Sequence, residues 1–207
     1  KDSSLYNFKE RYPFATDWVD GSNPDLLVAF GSLNGSQLEY LNNGGKVFYV
    51  GTGSEVAKVQ TGVYYSQYVF INFPQAEHPV VKALGSKGYG GLQFLNMHTT
   101  SVITEAADNP LSHSLIGKIV IRDNVPESAG QSGSFMSEFT KGRGTVIQST
   151  LNFAFGDPVL GPHIIDVTMR YMLGTEGTAS LNNLSAKSSA GISQIAGSAS
   201  AYCALGI

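Results

Sequence analysis

Leu26-Leu27-Val28-Ala29-Phe30, then Ser36 to Asn42, then Asn43-Gly44-Gly45 and Lys46-Val47-Phe48-Tyr49-Val50 form the stretch that decides the fold. Its outer pieces are short apolar runs without alternation. The first is bounded by Asp25 and Gly31, and the second ends in Gly51-Thr52-Gly53. Runs of this kind suit strands buried on both faces. Between them Ser36 is placed to cap a short helix with Leu38 and Leu41 on one side, and Asn42-Asn43-Gly44-Gly45 to stop it. Strands joined through a helix run parallel with a right-handed crossover. The expectation is an α/β domain with a mainly parallel central sheet flanked by helices, and with its site at the C-terminal ends of the strands.

Working outward from this unit, residues 68–73, 116–122 and 145–150 read as further strands, and Leu92 to Phe94 and Ser101 to Thr104 as weaker ones. Residues 78–85 read as a one- to two-turn helix with Pro79 near its start, and 163–173 as a helix stopped by Gly174. The polar stretch from Asp123 to Ser134 reads as a loop, and Lys141-Gly142-Arg143-Gly144 as a turn. Residues 1–23 are an aromatic, turn-rich lead-in, so the α/β domain is expected over 24–174. From Thr175 onward the chain is Ser, Ala, Gly and Asn with two charges, Glu176 and Lys187. Leu181, Leu184, Ile192, Ile195, Ala199 and Tyr202 fit a helical stripe there, although Gly191 and Gly197 each cost such a helix about 1 kcal/mol. Residues 175–207 are therefore expected to be a tail or a packing helix, used for self-association or contact with a protein partner.

Composition excludes several function classes. The net charge of −3 and scattered basic residues give no footprint for nucleic acid, and no apolar run reaches the roughly 18 residues of a membrane span. Charged residues are 14 % of the chain, against roughly 25 % in an average soluble protein. That surface chemistry, with a start at Lys1-Asp2-Ser3-Ser4 that reads as processed or trimmed, suggests an exported, periplasmic or surface-associated protein. The one cysteine, Cys203, forbids an internal disulfide and a Cys-based metal cluster, and is expected to be a small packed side chain.

The unit Pro24 to Phe30, with Gln37-Leu38-Glu39-Tyr40-Leu41-Asn42-Asn43-Gly44-Gly45 and Lys46 to Gly51, resembles class I glutamine-amidotransferase-like domains. It is similar in particular to degenerate ones in ThuA-like proteins and in accessory domains of secreted glycosidases and surface proteins. His78-Pro79-Val80-Val81 and Gly142 to Thr150 are similar to those domains too, over about residues 24–174. The resemblance implies a flavodoxin-like, three-layer fold, with one βα unit missing before Leu26. It also implies a Cys nucleophile after the strand ending at Val50 and a His after the last core strand. This sequence has Gly51-Thr52-Gly53-Ser54-Glu55 and Leu151-Asn152-Phe153 in those places. Glutamine hydrolysis by thiolate chemistry is therefore excluded, and a non-catalytic domain is expected.

Several residues remain as candidate chemistry. Ser54 could be a nucleophile with His163 as base and Asp157 or Asp166 as orienter, in the logic of acyl transfer. The stretch lacks a Gly-x-Ser-x-Gly elbow, and Ser at such a turn usually caps a helix. Gly51, Thr52 and Gly53 could cradle an anion, although the Lys-Ser/Thr of a phosphate loop is missing. Trp18, Tyr64, Tyr65, Tyr68 and Tyr89 could stack on carbohydrate, with Tyr64 and Tyr65 the first candidates. His78, His98, His113 and His163 have no metal-ligand spacing, and Asp20, Asp25, Glu55, Glu105 and Asp108 form no recognisable carboxylate pair. No cofactor is expected. Asn34-Gly35-Ser36 and Asn183-Leu184-Ser185 match the N-glycosylation acceptor pattern.

Overall fold

The computed structural model describes residues 8–61, 69–85, 101–105, 113–120, 132–151, 153, 160–175 and 201–205. Strands β2 (Leu26–Phe30) and β3 (Lys46–Val50) flank helix α2 (Gly35–Asn42), as their sequences predict. All five residues of β2 are buried, which is why the run shows no alternation. The two strands pair in parallel, with Phe30 beside Val50, and β3 pairs in parallel with β9 (Gly144–Ser149). The cap of α2 is Asn34 rather than Ser36. Asn34 Oδ1 accepts the Gln37 N–H at 2.9 Å and Gln37 Oε1 accepts the Asn34 N–H at 2.9 Å, a reciprocal capping box. Ser36 instead donates across to Asp20 at 2.6 Å.

On the other side of β2 lies β10 (Ala201–Leu205), and beyond it β1 (Thr16–Asp17), both parallel to β2. Tyr202, placed by its spacing on a helical stripe, thus lies in a strand, and the end of the 175–207 segment completes the sheet of its own chain. Cys203 stands in register with Val28. The lead-in contributes α1 (Phe8–Arg11), with Phe8, Tyr12 and Ala15 in the core.

Past β9 the sheet changes character. The Gly142-Arg143 turn reverses the chain, with Gly142 at φ +61 and the Asn42 backbone so close that no side chain fits. It joins β9 to β8 (Gly133–Lys141), which pairs antiparallel with β9, with β7 (Ser114–Val120) and with β6 (Val102–Glu105). β5 (Val69–Asn72) pairs with β7, and β4 (Lys58–Gln60) with β6, again antiparallel. The expected mainly parallel sheet is therefore mixed. Four parallel ladders adjoin five antiparallel ones among the described residues. Strand β8 begins inside the stretch read as a loop, and Leu92 to Phe94 lies outside the described residues.

Helices cover both faces of the parallel half. On one side α1, α3 (Pro79–Gly85) and α4 (Leu160–Leu173) bury Phe8, Val81, Leu84, Ile164 and Met169 against Phe48 and Ile147. On the other, Tyr40 and Leu41 of α2 meet Leu27, Val47 and Val146. Lys46 Nζ donates to the Met172 carbonyl at 2.7 Å, where a cation complements a helix C-terminus. That bond places the end of α4 at the N-terminal edge of the parallel strands.

Candidate functional site

The C-terminal ends of β2, β3 and β9 enclose a pocket of about 300 Å³, at the place open α/β sheets use for ligands. Phe30, Val50, Leu151 and Phe153 form its apolar part, Ser32, Thr52 and Thr150 its hydroxyl part, and Gly31, Gly51 and Gly53 the turns between them. The ladder runs one residue past each strand. The Gly31 N–H donates to the Val50 carbonyl at 3.0 Å, and the Gly51 N–H to the Ser149 carbonyl at 2.9 Å. A side chain at Gly51 would collide with the Gly31 carbonyl oxygen and the Tyr49 ring. Glycine is required there by the close approach of two turns, with no ligand needed to explain it.

The Gly51–Glu55 turn is fastened from below. The Tyr49 hydroxyl accepts the Gly53 N–H at 2.9 Å and donates to Glu55 Oε2 at 3.1 Å. Gln148 Nε2 donates to the carbonyls of Gly53 at 2.9 Å and Gly51 at 3.3 Å, and Lys141 Nζ donates to that of Glu55 at 2.6 Å. Burial, reinforced by the Glu55 carboxylate, holds the Tyr49 phenol far above its ordinary pKa, so it stays protonated and keeps both roles. The amides of Gly51 and Gly53, the groups an anion would need, are thus already used inside the protein. Sequence reading missed Tyr49 and Gln148. The available signal was Gln148 itself, an amide in an apolar strand, which must find partners when buried.

The residues proposed for acyl transfer each have other neighbours. Ser54 is exposed and lies outside the pocket lining. His163 Nε2 sits 3.3 Å from the Ala83 carbonyl, between α4 and α3. Asp166 pairs with Arg170 at 2.6 Å, one turn along its own helix, and Asp157 lies outside the described residues. Trp18 packs edge-on against Tyr40 at 5.7 Å and donates to Asp20 at 2.9 Å, a structural role. Tyr64, Tyr65, Tyr68, Tyr89 and His98 lie outside the described residues.

His78 belongs to a clamp rather than a metal site. Its Nδ1 accepts the Val80 N–H at 3.2 Å, so Nε2 carries the proton and donates to Glu138 Oε2 at 2.9 Å. The Tyr171 hydroxyl donates to the other oxygen of Glu138 at 3.0 Å. One carboxylate of β8 therefore ties down the start of α3 and the end of α4. His113 stacks obliquely on Phe139 at 5.7 Å. Among the described residues no group of three His, Cys, Asp or Glu side chains could hold a metal ion, and no helix is long and apolar enough to cross a membrane.

No protein-family model, curated protein or solved structure matches the chain. The chemistry of the pocket therefore rests on its own residues. The described lining carries apolar groups, hydroxyls and backbone, and none of its side chains is ionisable. Such a surface can bind and orient, but it supplies no acid, base or activated nucleophile of its own.

Proposed function

We propose that this chain is a non-catalytic recognition domain, a degenerate relative of flavodoxin-like or class I glutamine-amidotransferase-like domains, that works by binding at the strand C-termini. The observation that carries this reading is the pocket beside a saturated turn. Its described lining has no ionisable side chain, and the amides and carbonyls of Gly51 and Gly53 are bonded within the protein. The low charge density supports an exported or surface-associated setting. Pairing of Ala201–Leu205 within its own sheet favours the pocket over residues 175–207 as the contact surface.

The test is an amide NMR titration with D-glucose, acetate, phosphate and cyclohexanol. At least one probe should shift the Gly31–Ser32 and Gly51–Thr52 resonances. Thr52→Trp, which places a bulky ring on an exposed rim residue, should remove that response without unfolding the chain. Silence with every probe would refute the pocket. Hydrolysis of a p-nitrophenyl ester that disappears in Ser54→Ala would refute the non-catalytic reading.

A further inference from the structure

Phe30-Gly31-Ser32 and Val50-Gly51-Thr52 repeat one pattern, apolar, glycine, hydroxyl, at the ends of two neighbouring parallel strands. Phe30 and Val50 are in register, the two glycines that follow approach closely, and Ser32 and Thr52 beyond them both line the pocket. The glycine amides end the ladder. Ser32 and Thr52 come next, both exposed and both in the lining, and neither makes a hydrogen bond to any described residue. The lining thus holds two hydroxyls with no partner among the described residues. Thr150 adds nothing to this set, because its hydroxyl is spent on the Ser101 carbonyl at 2.9 Å.

From this arrangement we propose that the pocket takes an uncharged, hydroxyl-rich ligand of single-saccharide size, with Ser32 and Thr52 as the paired residues that hold its oxygens; this rests on the binding reading above. Two hydroxyls in one lining can both donate to and accept from the O–H groups of a polyol ring. Phe30, Val50, Leu151 and Phe153 offer an apolar wall for the C–H face of such a ring. The volume of about 300 Å³ is at the lower end for small-molecule pockets. Charge argues against an anion. The described lining has no cation, Lys141 is committed to the Glu55 carbonyl, and the Glu55 carboxylate is held directly behind Gly53.

The experiment titrates the full chain with methyl α-D-glucopyranoside and methyl β-D-galactopyranoside, beside acetate, phosphate and cyclohexanol, following the amides of Ser32 and Thr52. At least one pyranoside should shift both, with an affinity unchanged between low and high salt. Ser32→Ala and Thr52→Val should each weaken it about three- to tenfold, the worth of one neutral hydrogen bond. Both positions are exposed, so the fold should be kept. If acetate, phosphate or cyclohexanol shifts these amides and neither pyranoside does, the ligand class is wrong while the binding reading stands. If no probe shifts them, both fall. A pyranoside that binds equally to wild type and to both variants would overturn the assignment of Ser32 and Thr52.

Discussion

The parallel half of the sheet, β2, β3 and β9, and the antiparallel half around β8 and β7 are built on different principles. In the first, apolar strands lie between two helical layers, and burial is mostly hydrocarbon, with Gln148 and Ser149 of β9 as buried polar exceptions. In the second, Ser114, Lys118, Ser134 and Ser137 are buried in the strands themselves. Ser134 Oγ lies 2.8 Å from Ser114 Oγ, 2.7 Å from the Met136 carbonyl and 3.0 Å from that of Ile116. The difference shows that a buried strand can be specified by apolar side chains alone or by small polar groups that satisfy one another across strands. The second device depends on register and is therefore the more fragile.

The largest effect should come from the hydrocarbon side. Phe48→Ala removes a fully buried ring from the main core and should cost about 3–5 kcal/mol, read as a fall in urea midpoint. A loss under about 1 kcal/mol would mean that the parallel half does not rest on its core.

Next in size is a pH effect that belongs to the antiparallel half. Burial lowers the Lys118 ammonium from 10.5 to about 8, so between those values the unfolded chain holds the extra proton. Stability should then rise with pH across this window, by on the order of 3 kcal/mol in total. Lys118→Met should flatten the slope. Above pH 10 the parallel half should reverse the trend. Burial keeps the phenols of Tyr12, Tyr40 and Tyr49 protonated in the fold, while the unfolded chain ionises, so stability is lost there. Urea melts from pH 7 to 11 should show a maximum near pH 10. A monotonic fall from pH 8 would remove Lys118 from the account.

Smaller still is Ser134→Ala, expected to cost about 1–3 kcal/mol by leaving its partners unsatisfied. The smallest is Ser137→Ala, whose buried hydroxyl has no partner among the described residues. It should leave stability unchanged or raise it by up to about 1 kcal/mol. If the two serines behave alike, mutual satisfaction is not what holds the second half together.

The same contrast explains what could be read in advance. Leu26–Phe30 and Val47–Val50 announce themselves because burial leaves an unbroken apolar run, and Thr145-Val146-Ile147 by the start of one that Gln148 and Ser149 interrupt. In Gly133-Ser134-Phe135-Met136-Ser137-Glu138 the serines look like surface, and only partners some 20 residues away make them interior. Ala201–Leu205 was illegible for another reason. Its small residues carry no period, and its place is set by long-range pairing with β2. The pocket's location followed from the parallel unit, and Gly51, Thr52 and Gly53 do line it. The Tyr49–Gln148 fastening and the meeting of Ser32 and Thr52 in one pocket lining needed the three-dimensional arrangement of strands and turns, which no single segment contains.

The position of β10 between β1 and β2 also bears on how the chain is made. β2 leaves the ribosome with its outer edge bare and waits for a neighbour encoded about 175 residues later, roughly 10–35 s at ordinary elongation rates. Throughout that interval an apolar strand has an open hydrogen-bonding edge, the situation in which nascent chains pair wrongly or recruit chaperones. Translation speed downstream of Phe30, rather than stability of the finished sheet, should then govern the yield of folded protein.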